Sequence, residues 1–119
     1  MQTIKSSKKK NPQGFSKRQI AILEKAIDKF GRNNQIIMAY EELGELIQAL
    51  AKMNRVVRQT DYDDYEKYLN NLISELADVE IMTQQIKMIY DVESKVGSSK
   101  EYKIERLNQR LKKYENGHK

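Results

Sequence analysis

A chain of 119 residues with 39% hydrophobic residues, 33% charged residues and a net charge of +5 fits one small domain. It has no cysteine, which excludes a disulfide framework and a thiolate metal site and is compatible with the cytoplasmic location that we expect. No apolar segment follows the N-terminal lysines, and no apolar run approaches the roughly 18 residues of a membrane span. We therefore expect neither a signal peptide nor a membrane partner.

The charges are divided unevenly along the chain. Residues 1–32 hold nine Lys/Arg against two Asp/Glu, residues 33–96 hold six against twelve, and residues 97–119 hold seven against three. The basic ends are either solvated segments or a source of cations for a polyanionic ligand. We do not expect nucleic acid as a partner, because the acidic centre argues against a broad DNA-binding face.

The first part of the chain predicts a disordered basic leader over residues 1–15, which is polar, lysine-rich and contains the single proline. Ser16 and Gln19 form a capping-box pattern that opens helix 1, and Gly31 is a natural end for that helix. A helical domain is predicted over residues 16–115, followed by a tail over residues 116–119.

Helix 2 is predicted to begin at a cap on Asn33 or Asn34 and to run to about Val57. Large apolar residues recur along one line of this helix at helical spacing. They are Ile36, Tyr40, Leu43, Ile47 and Leu50. This line is the expected contact with the rest of the domain.

Helix 3 is predicted from a cap on Thr60 or Asp61 to about Tyr90. Its apolar stripe contains Tyr65, Tyr68, Leu72, Leu76, Val79, Met82, Ile86 and Ile89. Gly97 is expected to end it, and Ser98 with Glu101 to cap helix 4. The fold class is therefore all-α, a four-helix bundle with two long antiparallel central helices that oligomerisation completes.

Four acidic residues stand out by position. Glu42 and Glu45 on helix 2, and Glu75 and Asp78 on helix 3, each form an i, i+3 pair on or beside an apolar flank. Carboxylates are costly there unless they are compensated, and no Lys or Arg shares their arcs. They are either solvated or salt-bridged acids, or they face one another as oxygen ligands for Mg²⁺. Glu45 lies farthest from the apolar line, and Glu41 is turned away from it.

The segments AYEELGEL and ISELADVE resemble the EExxE and ExxD motifs of the MazG-like nucleotide pyrophosphohydrolases, an all-α superfamily. The resemblance covers about residues 16–115. It implies a Mg²⁺-dependent enzyme, with Mn²⁺ as a substitute, that hydrolyses nucleoside triphosphates to monophosphate and pyrophosphate. It also implies that Glu42, Glu45, Glu75 and Asp78 bind the metal, and that Glu41 supports the site or orients the water. Our hypothesis for the catalytic base is Glu41 or Glu45.

Helix 4 offers cations for the substrate. Lys103, Arg106 and Arg110 are spaced i, i+3 and i+7, hence on one side, where they would bind phosphates or simply face solvent. The expected partners are a nucleoside triphosphate and further copies of the chain in a homodimer or homotetramer. Two alternatives stay open: a dUTPase-like or phosphoribosyl-ATP pyrophosphohydrolase relative, and a non-catalytic helical module that binds nucleic acid or protein.

Overall fold

The computed structural model describes residues 14–59 and 62–118, and within these ranges the chain forms four α-helices and no β-strand. We number them α1 (Lys17–Phe30), α2 (Arg32–Gln59), α3 (Tyr62–Ile89) and α4 (Glu93–Gly117). The all-α prediction is confirmed. Residues 1–13 of the predicted leader, and the candidate caps Thr60 and Asp61, lie outside the described residues.

Both ends of α1 are where the sequence predicts them. Ser16 Oγ accepts the Gln19 N–H at 3.1 Å, and Gln19 Oε1 accepts the Ser16 N–H at 2.9 Å, so the capping box is complete. Gly31 adopts a φ of 94° and donates its N–H to the Ile27 carbonyl at 2.9 Å. A left-handed φ of this kind favours glycine, which explains why α1 stops at this residue.

The predicted cap of α2 at Asn33 or Asn34 is wrong. The helix begins one or two residues earlier, at Arg32, directly after Gly31. Asn34 lies inside the first turn, where its Nδ2 donates to the Phe30 carbonyl at 2.8 Å. Its side chain therefore satisfies a carbonyl at the end of α1 instead of opening α2.

The predicted break at Gly97 is also wrong. The chain turns at Asp91, which has a φ of 54°, and α4 starts at Glu93, so that Gly97 and Ser98 lie inside it. Aspartate is one of the few non-glycine residues that visit the left-handed region readily. A single interior glycine costs about 1 kcal/mol relative to alanine, which is too little to end a helix of 25 residues.

The chain divides into two compact units, one extending to Ile89 and the other starting at Tyr90. In the first unit α2 and α3 pack against each other, and α1 contacts both. The second unit contains α4, which has no buried residue. No helix in the described part of the chain is long and apolar enough to cross a membrane.

The face of α2 that is buried is not the one that the sequence predicts. The inner face, which packs in the domain, contains Gln35, Ala39, Glu42, Leu46, Ala49, Met53 and Val56, all buried or half-buried. The outer face contains Tyr40, Leu43, Ile47, Leu50 and Val57, all exposed. The large apolar line expected to make the core contact therefore lies mainly outside it, because the small and flexible residues of the inner face allow α3 to approach there.

Candidate metal centre

The position of each acid follows from how α2 and α3 are aligned. Gln35, near the start of α2, donates its side-chain N–H to Gln85 Oε1, near the end of α3, at 2.6 Å. The two helices are therefore antiparallel. Glu42 lies seven residues after Gln35 and Asp78 seven residues before Gln85, which is two helical turns in each case. The same alignment that pairs the glutamines thus places Glu42 opposite Asp78.

Three carboxylates meet at this level. One ligand oxygen from each of Glu42, Glu75 and Asp78 lies within 4.8 Å of the other two, and all three residues are half-buried. Two oxygens bound to opposite sides of one Mg²⁺ are about 4.2 Å apart, since each bond is about 2.1 Å. The three side chains are therefore close to the spacing that a common ion requires.

The carboxyl of Glu42 has an altered acidity. Burial, the charges of Asp78, Glu45 and Glu75, and a hydrogen bond with Asp78 raise its pKa from 4.5 to about 7. Burial raises it because it disfavours the charged form, and the neighbouring negative charges raise it by repulsion. Without a cation, this carboxyl therefore holds its proton to a higher pH than an ordinary glutamate does.

Glu75 is perturbed in the same direction. Burial is the largest cause that raises its pKa, followed by the charge of Glu45 and a hydrogen bond with it, and then by the charge of Asp78. A hydrogen bond with Glu42 acts in the opposite direction. Every charged group that shifts either pKa is another carboxylate. The fold thus concentrates negative charge here, and within residues 14–59 and 62–118 no basic side chain contributes to either shift.

Two oxygens in this group have no protein donor. Glu42 Oε2 and Glu75 Oε2 are buried and receive no hydrogen bond from an N–H or hydroxyl group. A buried carboxylate oxygen without a donor is destabilising unless a proton or a cation takes that place. Glu42 Oε2 and Glu75 Oε2 are therefore the positions in the group where a proton or a cation would be stabilising.

The other two predicted acids are placed differently. Glu45 is exposed, as its distance from the apolar line predicts, yet it is close enough to Glu75 for a side-chain hydrogen bond. We call Glu42, Glu45, Glu75 and Asp78 the acidic cluster. Glu41 is exposed and is not part of it. The cluster therefore has a half-buried part and one solvent-facing member.

The predicted phosphate-binding residues lie in the second compact unit. Lys103, Arg106 and Arg110 are all exposed on α4. Their spacing places the three cationic side chains on one side of an unbroken helix. They form a basic strip that is accessible to a polyanion.

Sequence reasoning missed three buried glutamines. Gln35 and Gln85 are each 3% exposed, and Gln84 is 1% exposed. Both side-chain polar atoms of Gln84, and Oε1 of Gln35, have no hydrogen-bond partner. The helical spacing alone places Gln35 on the same face of α2 as Glu42, and Gln85 on the same face of α3 as Asp78, in each case two turns away. The residue type does not suggest burial, because glutamine is mostly a surface residue.

A small apolar pocket lies between α1 and α3. Phe15, Gln19, Ile22, Leu23 and Ile81 line it, and its volume is about 130 Å³. Ile81 follows Asp78 by about one turn of α3, but no titratable side chain lines the pocket. The pocket therefore adds no acid or base to the acidic cluster.

No protein-family model, curated protein or solved structure matches this chain. The functional interpretation consequently depends on the acidic cluster and on the motifs that supply it.

Proposed function

We propose that this chain is a Mg²⁺-dependent nucleotide pyrophosphohydrolase of the MazG-like type, which cleaves a nucleoside triphosphate to the monophosphate and pyrophosphate. The observation that carries the proposal is the convergence of Glu42, Glu75 and Asp78 from two helices, with two buried oxygens that have no donor. Structural carboxylates of this kind are usually paired with Lys or Arg. A cation-free cluster fits a metal centre better than a structural role.

The donor set suits a hard divalent cation. Mg²⁺ prefers oxygen ligands and commonly binds one or two carboxylates together with water and substrate phosphates. Such an ion would supply charge neutralisation at the phosphates and acidify a water molecule. Glu42, Glu75 and Asp78 would hold it, and Glu45 would complete the ligand set from the solvent side. Mn²⁺ makes the same kind of bond and is expected to substitute.

Proton transfer from the attacking water requires a carboxylate that is not fully committed to the metal. Glu45 is exposed and interacts with Glu75, which supports a role as base at the edge of the cluster. Glu41 is exposed on the same helix and is the alternative base, or it orients the water. The base would then carry the water's proton while the bond between the α- and β-phosphates breaks.

A triphosphate bound beside four acids also needs cations from the protein. Lys103, Arg106 and Arg110 form an exposed basic strip, and guanidinium groups bind phosphate oxygens in pairs. As the resemblance implies, we propose that this strip binds phosphate groups of the substrate. Its contribution is electrostatic binding and orientation of the leaving pyrophosphate.

We further propose that a second copy of the chain covers the outer face of α2, giving a homodimer or homotetramer. Tyr40, Leu43, Ile47 and Leu50 alternate at spacings of three and four residues, and their exposed fractions are 68%, 44%, 69% and 57%. An a/d pattern of this type packs against a like helix in coiled coils and helical bundles. The same line on a second α2 is therefore its complementary partner.

The function is tested by measuring pyrophosphate release from each (d)NTP with Mg²⁺ and with a chelator. We expect release that depends on Mg²⁺ and yields the monophosphate. Activity restricted to dUTP or to phosphoribosyl-ATP would identify the enzyme as one of the relatives instead. No release from any of these substrates, together with salt-sensitive binding to DNA, would contradict the enzymatic proposal and favour the non-catalytic module.

A further inference from the structure

The hydrogen bond between Gln35 and Gln85 belongs to the same contact as the acidic cluster. Both side chains are 97% buried, since each is 3% exposed, and their polar atoms meet at 2.6 Å. A buried amide without a partner is destabilising, whereas an amide pair with good geometry is stable at one alignment only. The hydrogen bond of this pair therefore depends on how far α2 is shifted along α3.

The alignment that brings the Gln35 side-chain N–H to Gln85 Oε1 also assembles the acids. From Gln35, seven residues along α2 lead to Glu42, and seven residues back along α3 from Gln85 lead to Asp78. Three further residues in each direction lead to Glu45 and Glu75, which also interact. Because α-helices rise about 1.5 Å per residue, the acid pairs follow the amide pair by about 10 and 15 Å along one seam.

Four of the other buried residues of α2 and α3 specify this alignment poorly. Ala39 and Ala49 present only a methyl group each, and Met53 and Met82 have long flexible side chains. Methionine repacks easily in alternative surroundings, so a shift of one turn would lose little apolar contact. The acids themselves oppose the native alignment, because it brings like charges together.

We infer that Gln35 and Gln85 are positioning residues: their buried hydrogen bond fixes the register of α2 on α3 and thereby sets the acids opposite one another. The inference builds on the proposed metal centre but makes a separate claim, about helix register. A single buried polar residue has this effect in coiled coils, where it selects one register at a cost in stability. Here the selected register is the one that forms the acidic cluster.

The test is the double variant Q35M/Q85M, which replaces both amides with apolar side chains of similar length. We expect a melting temperature equal to or above that of the wild type, because both amides of the pair are removed together and neither is left buried without the other. At the same time we expect Mn²⁺ affinity, measured by electron paramagnetic resonance, to fall by about tenfold, as for residues that orient metal ligands. If the two glutamines had only a structural role, the double variant would lose stability as well as metal affinity. A loss of metal affinity alone therefore indicates a positioning role.

Gln84 supplies the matched control. It is the neighbouring residue on α3 and is equally buried, but it is not part of the amide pair. Gln84→Met should therefore raise the melting temperature and leave Mn²⁺ affinity unchanged. If the double variant does not fold, Gln35→Asn takes its place, because loss of one methylene removes the reach to Gln85.

Register is measured directly by electron–electron distances. The chain has no cysteine, so spin labels attach only at Lys52→Cys on α2 and Glu80→Cys on α3, both exposed. Dilution with unlabelled chain removes distances between copies. We expect one narrow distance distribution in the wild type. In Q35M/Q85M we expect a broadened or shifted distribution, with a component displaced by one helical turn, roughly 5 Å.

An unchanged single distance together with unchanged Mn²⁺ affinity in the double variant would overturn the register inference. Failure of the wild type to bind Mn²⁺ would instead refute the proposed metal centre. In that case the distance measurement would still decide whether the glutamines set the register.

Discussion

The inner and outer faces of α2 differ in a way that is unusual for a small helical domain. The inner face places Ala39, Ala49 and polar residues such as Gln35 and Glu42 against the rest of the domain. The outer face leaves Ile47 and Tyr40 more than two-thirds exposed. A helix that is stabilised by its own chain alone normally shows the reverse distribution.

Each face therefore indicates a different partner. Buried carboxyls and amides reduce the stability of the isolated chain, and they are retained where a ligand or a required alignment compensates for them. Exposed branched and aromatic residues in a/d spacing indicate a surface that another helix covers. Under the two proposals, the inner face is the functional side of α2 and the outer face is its assembly side.

The largest effect is expected from a substitution in the acidic cluster, where the inner face of α2 packs against α3. Glu75→Gln keeps the shape of the side chain but removes a metal ligand, so pyrophosphate release should fall by about a hundredfold or more, which corresponds to roughly 3 kcal/mol. The melting temperature should not fall, because one of the mutually repelling charges is lost. Glu80→Gln, an exposed acid on the same helix, is the control and should retain full activity. Equal rates for the two variants would contradict the assignment of Glu75.

A change on the outer side should act on assembly first. Ile47→Glu places a charge in the middle of the exposed line and should weaken self-association by about tenfold or more, measured by sedimentation velocity. Gln48→Glu adds the same charge one residue away, off that line, and should leave association unchanged. A wild-type chain that stays monomeric at high concentration, or an Ile47→Glu variant that assembles normally, would contradict this role.

The smallest effect concerns pH. The folded-state pKa of Glu42 is about 7, above its ordinary value of 4.5. Between these two values the folded chain binds more protons than the unfolded chain, so stability decreases as pH rises through this window and remains lower above it. In the presence of a chelator, calorimetry should show a lower melting temperature at pH 8 than at pH 5.

Two comparisons isolate the cause of that pH dependence. Glu42→Gln should reduce the difference between pH 5 and pH 8, because the titrating group is absent. Mg²⁺ at a hundred times its dissociation constant should stabilise the wild type at pH 8 by about 2.7 kcal/mol. The raised pKa of Glu42 would be contradicted if the melting temperature of the wild type rises from pH 5 to pH 8, and rises by more than the melting temperature of Glu42→Gln does.

Local signals predicted the helices well. Ser16 and Gln19 form the expected capping box, and Gly31 ends α1, because both features depend on a few neighbouring residues. The i, i+3 spacing of the acids, together with the antiparallel helices, was sufficient to predict that Glu42, Glu75 and Asp78 converge. The break before α4 was misplaced, because Asp91 adopts a conformation more often associated with glycine.

The orientation of α2 could not be predicted from its periodicity. The helix carries two apolar lines at helical spacing, and periodicity alone favours the line with larger residues, which includes Leu43 and Ile47, as the core contact. Burial instead follows Ala49 and Met53, which are small or adaptable enough to let α3 approach. The buried glutamines were missed for a related reason: Gln35 is satisfied only by a residue 50 positions away, and no local pattern reveals such a partner.

The most direct test of the acidic cluster as a metal centre is Mn²⁺ binding measured by electron paramagnetic resonance on the wild type, Glu75→Gln and Glu80→Gln. Saturable binding to the wild type and to Glu80→Gln, with at least tenfold weaker binding to Glu75→Gln, is the expected result. Equal Mn²⁺ affinity in all three proteins, or no saturable binding to the wild type, would contradict the metal centre.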